Sequence, residues 1–141
     1  RFLLFVPRIT LLGPIEAALR RQFPNAKFET VSSKEVYRQE RIAQMRVGEL
    51  DFLVTTTILE RGVTFPGVDV CVINAHEEEF SREVLVQIAG RVGRTAECPT
   101  GEVVYFHNGK TKAMVQAVRE IENLNQQALR GRDTLVFTRS K

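Results

Sequence analysis

Cysteine is scarce. Cys71 and Cys98 are the only two, too few for a disulfide framework, and neither sits in a Cys-x-x-Cys pair of the zinc-binding kind. That usage fits a reducing, cytosolic compartment. Long apolar runs are missing as well: none approaches the ~20 residues needed to cross a bilayer, so no membrane span is expected. The apolar start, Phe2-Leu3-Leu4-Phe5-Val6, is also shorter than the ~7–15 residues of a signal-peptide core, and reads as a buried strand. Internal repeats and low-complexity tracts are absent, and so is a starting Met. The expectation is one domain of 141 residues cut from a longer protein.

What is present is an ordinary globular balance, with 43% hydrophobic and 26% charged residues. The net charge is only +3, but arginine supplies 15 of the 20 basic residues. Guanidinium groups suit bidentate phosphate contacts, which makes nucleic acid a candidate partner.

Strand-like runs alternate with helical patterns along the whole chain. Phe2–Val6 precedes Leu12, Ile15 and Leu19 at helical spacing, with Pro14 tolerable in a first turn. Lys27–Val31 is a second strand. Ser32 to Glu35 has the form of a capping box opening a helix that carries Ile42 and Met45 and ends at Gly48. Strands at Asp51–Thr55 and Val68–Ile73 follow, the latter apolar enough to be covered on both faces. A helix from about Ser81 to Val92, a strand at Gly101–Phe106 and a long helix come next. That helix sets Met114, Ala117, Val118, Ile121, Leu124 and Ala128 on one face, and Thr134–Phe137 closes the chain as a possible sixth strand. The pattern predicts an α/β fold: a mainly parallel sheet with helices on both faces. Folds of this kind bind ligands outside the carboxyl ends of their strands.

Two segments carry chemistry. In Gln87-Ile88-Ala89-Gly90-Arg91-Val92-Gly93-Arg94, helical geometry brings Gln87, Arg91 and Arg94 within about 60° of one another. Leu85, Ile88 and Val92 form an adjacent apolar sector. Two forked cations on one rigid face suit a phosphate chain whose charge builds during transfer. The second segment, Thr55-Thr56-Thr57-Ile58-Leu59-Glu60-Arg61-Gly62-Val63-Thr64-Phe65-Pro66, lies where a strand ends and hydroxyls can meet backbone phosphates.

Other features weigh less. Gly109-Lys110-Thr111 lacks the length of a phosphate loop and reads as a helix start. His76 and His107 read as solvated loop histidines. Glu77-Glu78-Glu79 has no basic partner at metal spacing and reads as a solvated loop. No metal site is expected.

Together the two segments resemble motifs V and VI of superfamily 2 helicases, with Phe5-Val6-Pro7-Arg8 similar to the motif IV region. Ser32-Ser33 lies where another backbone-binding loop occurs. The likeness spans nearly the whole chain as a second, C-terminal RecA-like lobe. Within the superfamily it looks most like the ComFA family of competence DNA-uptake ATPases, with a looser likeness to the PriA family. The resemblance implies that ATP and Mg²⁺ bind jointly with a first RecA-like lobe, which supplies the phosphate loop, the metal carboxylate and the general base. Arg94 would then be the arginine finger on the γ-phosphate. Arg91 would lie beside it, and Gln87 would position them or the attacking water. Arg61 and Gly62 would face the nucleotide. Thr64 stands where many relatives carry a ribose-contacting Asp, and is shorter and uncharged. Arg8, Ser32, Ser33, Thr55 and Thr56 would meet single-stranded DNA. The implied setting is cytoplasmic, at the inner face of the membrane with other competence proteins. Two alternatives stay open: a PriA-like or RNA-directed helicase lobe, and a non-catalytic nucleic-acid-binding module of the same fold.

Overall fold

The computed structural model describes residues 2–32, 36–56, 68–89, 100–131 and 135–140, with side chains described as far as 123 and, in the fourth stretch, from 102. Six strands are joined in the order β2-β3-β1-β4-β5-β6: β1 Phe2–Phe5, β2 Phe28–Val31, β3 Phe52–Thr55, β4 Asp69–Ile73, β5 Thr100–Phe106 and β6 Leu135–Ser140. All five pairings are parallel. The helices are α1 Leu12–Gln22, α2 Arg38–Arg46, α3 Arg82–Ala89 and α4 Lys112–Gly131.

Alternation along the strands divides the core in two. Leu3, Phe5, Leu53, Val70, Val72, Val103 and Tyr105 pack with Ile42 and Met45 of α2, Leu85 and Ile88 of α3, and Met114, Ala117 and Ile121 of α4. Leu4, Val6, Phe28, Phe52 and Val54 pack instead with Leu12, Ile15 and Leu19 of α1. Among the described helices, α1 alone covers one face and the other three cover the opposite one, as right-handed crossovers demand when only the β1-to-β2 step runs against the rest. With a single helix on its side, β4 is not fully covered on both faces: Cys71 and Ile73 are half-buried. Burial pushes the Cys71 thiol up, which marks it as an unreactive packing residue.

Register is locked at the amino ends of the strands. Phe2, Phe52 and Phe28 share one row across β1, β3 and β2, their rings stacked 4.7 and 4.5 Å apart, and the Arg20 guanidinium lies 4.4 Å from the Phe28 ring centre. Such offset pairs add roughly 0.5–1.5 kcal/mol each beyond their buried area.

The ends of the helices follow local chemistry, with one exception. Gly48, at φ 86°, closes α2, with the Glu49 N–H donating to the Gln44 carbonyl, as in a left-handed glycine cap. Ser81 caps α3 by accepting from the Val84 N–H at 3.2 Å, and Thr111 caps α4 by accepting from the Met114 N–H at 3.2 Å. The Gly109-Lys110-Thr111 segment is therefore a helix start. The exception is α2. It begins at Arg38, after a turn at Val36 and Tyr37, and not at the Ser32–Glu35 capping box; Ser33, Lys34 and Glu35 lie outside the described residues. Its first turn is fixed by a tertiary bond instead, Arg41 Nη1 donating to the Thr30 carbonyl of β2.

Candidate nucleic-acid and nucleotide interface

The strand order makes one edge of the sheet special. β1 lies between β3 and β4, and the three chain segments leaving their carboxyl ends emerge side by side. From β1 the chain turns one way, through α1 to β2; from β4 it turns the other way, through α3 to β5. This is the point of reversal at which open α/β sheets bind ligands. A cavity of about 320 Å³ between Lys27, Phe28, Gln44, Glu49 and Leu50 lies near the opposite, amino end of β2 and β3, and does not border these segments.

At the end of β3, Thr55 and Thr56 are 1% and 3% exposed. Their two hydroxyls differ. Thr55 Oγ1 donates to the Thr56 carbonyl at 3.1 Å, whereas Thr56 Oγ1 is buried with no hydrogen-bond partner among the described residues. A buried hydroxyl in that state costs about 1–3 kcal/mol. The Val6 N–H donates to the Thr55 carbonyl at 2.9 Å, so the ends of β1 and β3 are tied together. Ser32, half-buried, follows Val31 at the end of β2, whose partner in the register is Thr55.

Arg8 stands two residues beyond that tie, in extended backbone before a short 3-10 turn at Ile9–Leu11. Its guanidinium, though partly exposed, is engaged by two carboxylates. Arg8 Nε donates to Glu79 Oε2 at 2.7 Å and Nη2 to Glu79 Oε1 at 3.3 Å, while Nη2 lies 3.1 Å from Glu77 Oε2. The acidic run after β4 is partly exposed, as a solvated loop would be, but it has a basic partner from far away in sequence, Arg8. Hydrogen bonding from Arg8 holds the Glu79 carboxyl below the usual carboxylate range. The loop is shaped by Asn74, at φ 55°, a conformation that asparagine tolerates better than most residues; its carbonyl accepts from the Glu77 N–H at 3.0 Å. His76 is also less free than expected, accepting at Nδ1 from the Asn108 N–H at 3.2 Å.

The same loop launches α3. Phe80, 1% exposed, and Leu85, fully buried, belong to one core cluster on either side of the Ser81 cap, in the spacing of a hydrophobic staple. Leu85, Ile88 and Ala89 are buried and Gln87 is exposed, so the helix anchors by its apolar sector and presents Gln87 away from it. Arg61, Gly62, Thr64, Arg91 and Arg94 lie outside the described residues. Glu77 and Glu79 are what the sequence reading missed, and their sequence separation from Arg8, about 70 residues, left no local signal to find them by.

No helix among the described residues is long and apolar enough to cross a membrane. Residues 1–96 match the family described as helicase conserved C-terminal domain. The chain is 44% identical over 126 residues to the competence protein ComFA of Streptococcus pneumoniae, covering 89% of this chain and 29% of that protein. To ComFA of Bacillus subtilis it is 43% identical over 125 residues, covering 89% of this chain and 27% of the relative; the chain thus spans under a third of the length of these relatives. Among solved structures, domain 2 of the DEAD-box helicase Mss116p, bound to an RNA duplex, superposes with a TM-score of 0.64 at 18% identity, over 100% of this chain and 51% of that one. With its parallel sheet, its helices on both faces and its likeness to ComFA, the chain belongs to the helicase conserved C-terminal domain family, as a RecA-like lobe.

Proposed function

We propose that the chain is the second motor lobe of a longer, two-lobe ATP-dependent translocase that acts on single-stranded DNA during competence uptake. One observation carries the reading: the carboxyl ends of β1, β3 and β4 bring Arg8, the Thr55–Thr56 pair and the start of α3 to one edge of the sheet. Backbone-contacting groups and the helix that leads into the two-arginine segment thus share a single rigid frame. The identity to ComFA supports the choice of DNA uptake over other helicase tasks.

Bound ATP·Mg²⁺ would supply the phosphoryl group and the charge that the reaction must neutralise. Gln87, exposed on a helix anchored by Leu85, Ile88 and Ala89, fits a group that meets a nucleotide held by another lobe. Arg91 and Arg94 would stabilise the charge on the transferring phosphoryl group, Arg61 and Gly62 would border the nucleotide, and Thr64 would face the ribose without a charge. Thr56, Ser32 and Ser33 would hold the strand by its backbone, which positions DNA without reading its sequence.

In the full-length protein, Arg94→Ala is expected to slow single-turnover ATP hydrolysis on saturating single-stranded DNA by about 10³–10⁵-fold, the range of arginine fingers. Arg94→Lys should recover little, because a point charge does not replace the fork. Near wild-type hydrolysis by Arg94→Ala would refute the assignment.

A further inference from the structure

The ion pairs on Arg8 need a reason beyond stability. Its side chain is 41% exposed and those of Glu77 and Glu79 are each 32% exposed, and pairs so open to water contribute little to folding. Yet one guanidinium makes three short contacts with two carboxylates, one of them a bidentate fork on Glu79. This is the geometry with which arginine grips a phosphate. Arg8 follows the end of β1, which the Val6 N–H ties to the Thr55 carbonyl at the end of β3. Arg8 with Glu77 and Glu79 carries a net charge of −1, and the Glu78 between them adds another negative charge. As it stands, this corner of the proposed strand track repels phosphate.

From this we infer that Glu77 and Glu79 act as an internal substitute for a nucleic-acid phosphate, holding Arg8 until a strand takes their place. The inference rests on the proposed strand-binding role and adds a specific device to it. A phosphate arriving at the end of β1 competes with two carboxylates already in place, so the wild-type lobe benefits little from Arg8. The exchange also releases the loop that leads into Ser81 and α3. Occupancy of the strand track is thereby felt at the start of the helix that carries Gln87.

The test is a salt series of fluorescence anisotropy titrations with labelled oligo(dT) on the full-length protein. In single-stranded DNA each phosphate neutralised steepens the slope of log K against log salt by about 0.7. Glu77→Gln/Glu79→Gln is expected to bind several-fold more tightly at low salt with the slope unchanged, because Arg8 then neutralises the same phosphate without first giving up its carboxylates. Arg8→Gln should lower the slope by about 0.7 in both backgrounds, but should cost several-fold more affinity in the double-glutamine background than in the wild type, where the carboxylates offset what Arg8 gains. Glu78→Gln removes one neighbouring negative charge without freeing Arg8, and should leave the cost of Arg8→Gln as it is in the wild type. An Arg8→Gln cost that is equal in the wild-type and double-glutamine backgrounds would overturn the proposal, as would the same rise in that cost produced by Glu78→Gln alone. Wild-type protein that does not bind the oligonucleotide would sink the strand-binding reading and this inference together. Binding that is weakened by Thr56→Val but indifferent to Glu77 and Glu79 would overturn the inference alone.

Discussion

Thr55 and Thr56 offer an internally controlled experiment. Both are buried, both sit at the end of β3, and both are β-branched, so replacing either with Val holds volume and backbone preference nearly constant. The hydroxyls differ in what they touch. Thr55→Val removes a hydrogen bond to the Thr56 carbonyl, a net loss of about 1 kcal/mol. Thr56→Val removes a buried hydroxyl with no partner among the described residues, and relieving even the lower end of its desolvation cost adds about 1 kcal/mol of stability. The two variants should therefore differ by about 2 kcal/mol in opposite senses. For a chain of this size that separates their midpoints by roughly 4–8 °C, with Thr56→Val the more stable. Thermal unfolding followed by circular dichroism, backed by urea midpoints, measures the difference. On the proposed strand-binding role of Thr56, the order should turn over in oligo(dT) binding, with Thr56→Val the weaker. Equal destabilisation by both variants would mean that Thr56 is satisfied in the folded chain, and would refute the reasoning.

Two further predictions use other parts of the structure. Leu85→Ala, at a fully buried position on α3, should cost about 2–5 kcal/mol in urea unfolding; Gln87→Ala, two residues on and exposed, should stay within about 0.5 kcal/mol. The Glu79 carboxyl, held low chiefly by its hydrogen bonds from Arg8 and next by a backbone hydrogen bond, should titrate by NMR below an ordinary carboxylate and move up toward the ordinary value in Arg8→Gln. Since its folded value is depressed, its contribution is complete above the ordinary carboxylate range and fades as pH falls through the depressed value; a Glu79 titration indifferent to Arg8 would contradict the observed fork.

Much of this architecture was legible in the sequence because it depends on local repetition. Apolar runs separated by helical spacing located all six strands, and the stripe of Met114, Ala117 and Ile121 marked the buried side of α4. The Leu85–Ile88 sector likewise foretold which side of α3 faces the core. What failed were features decided across the chain. A capping box is worth about 1 kcal/mol and did not place the start of α2, which Arg41 ties to the Thr30 carbonyl of β2. Coverage of β4 could not be read from its own residues, because it depends on which helices the topology sends to each face, and among the described residues α1 is the only helix on that side. The acidic loop looked solvated for the same reason: spacing reveals partners a turn away, and Arg8 is brought to Glu79 only by the adjacency of β1 and β4. His76 gave no sign of the Asn108 N–H it accepts, which arrives from the far end of β5.

The place of β1 has a consequence for how the chain folds. Phe2–Phe5, first in the chain, pairs with Phe52–Thr55 on one side and with Asp69–Val72 on the other. These four residues are the seam of the sheet and not its hem: without them β2 and β3 would part from β4, β5 and β6. Every pairing across that seam closes a loop of about 50 residues or more, and such non-local pairing must be completed before it returns any stability. Folding is therefore expected to hinge on β1 waiting for two partners that follow it in sequence, so that the two halves of the sheet form together or not at all.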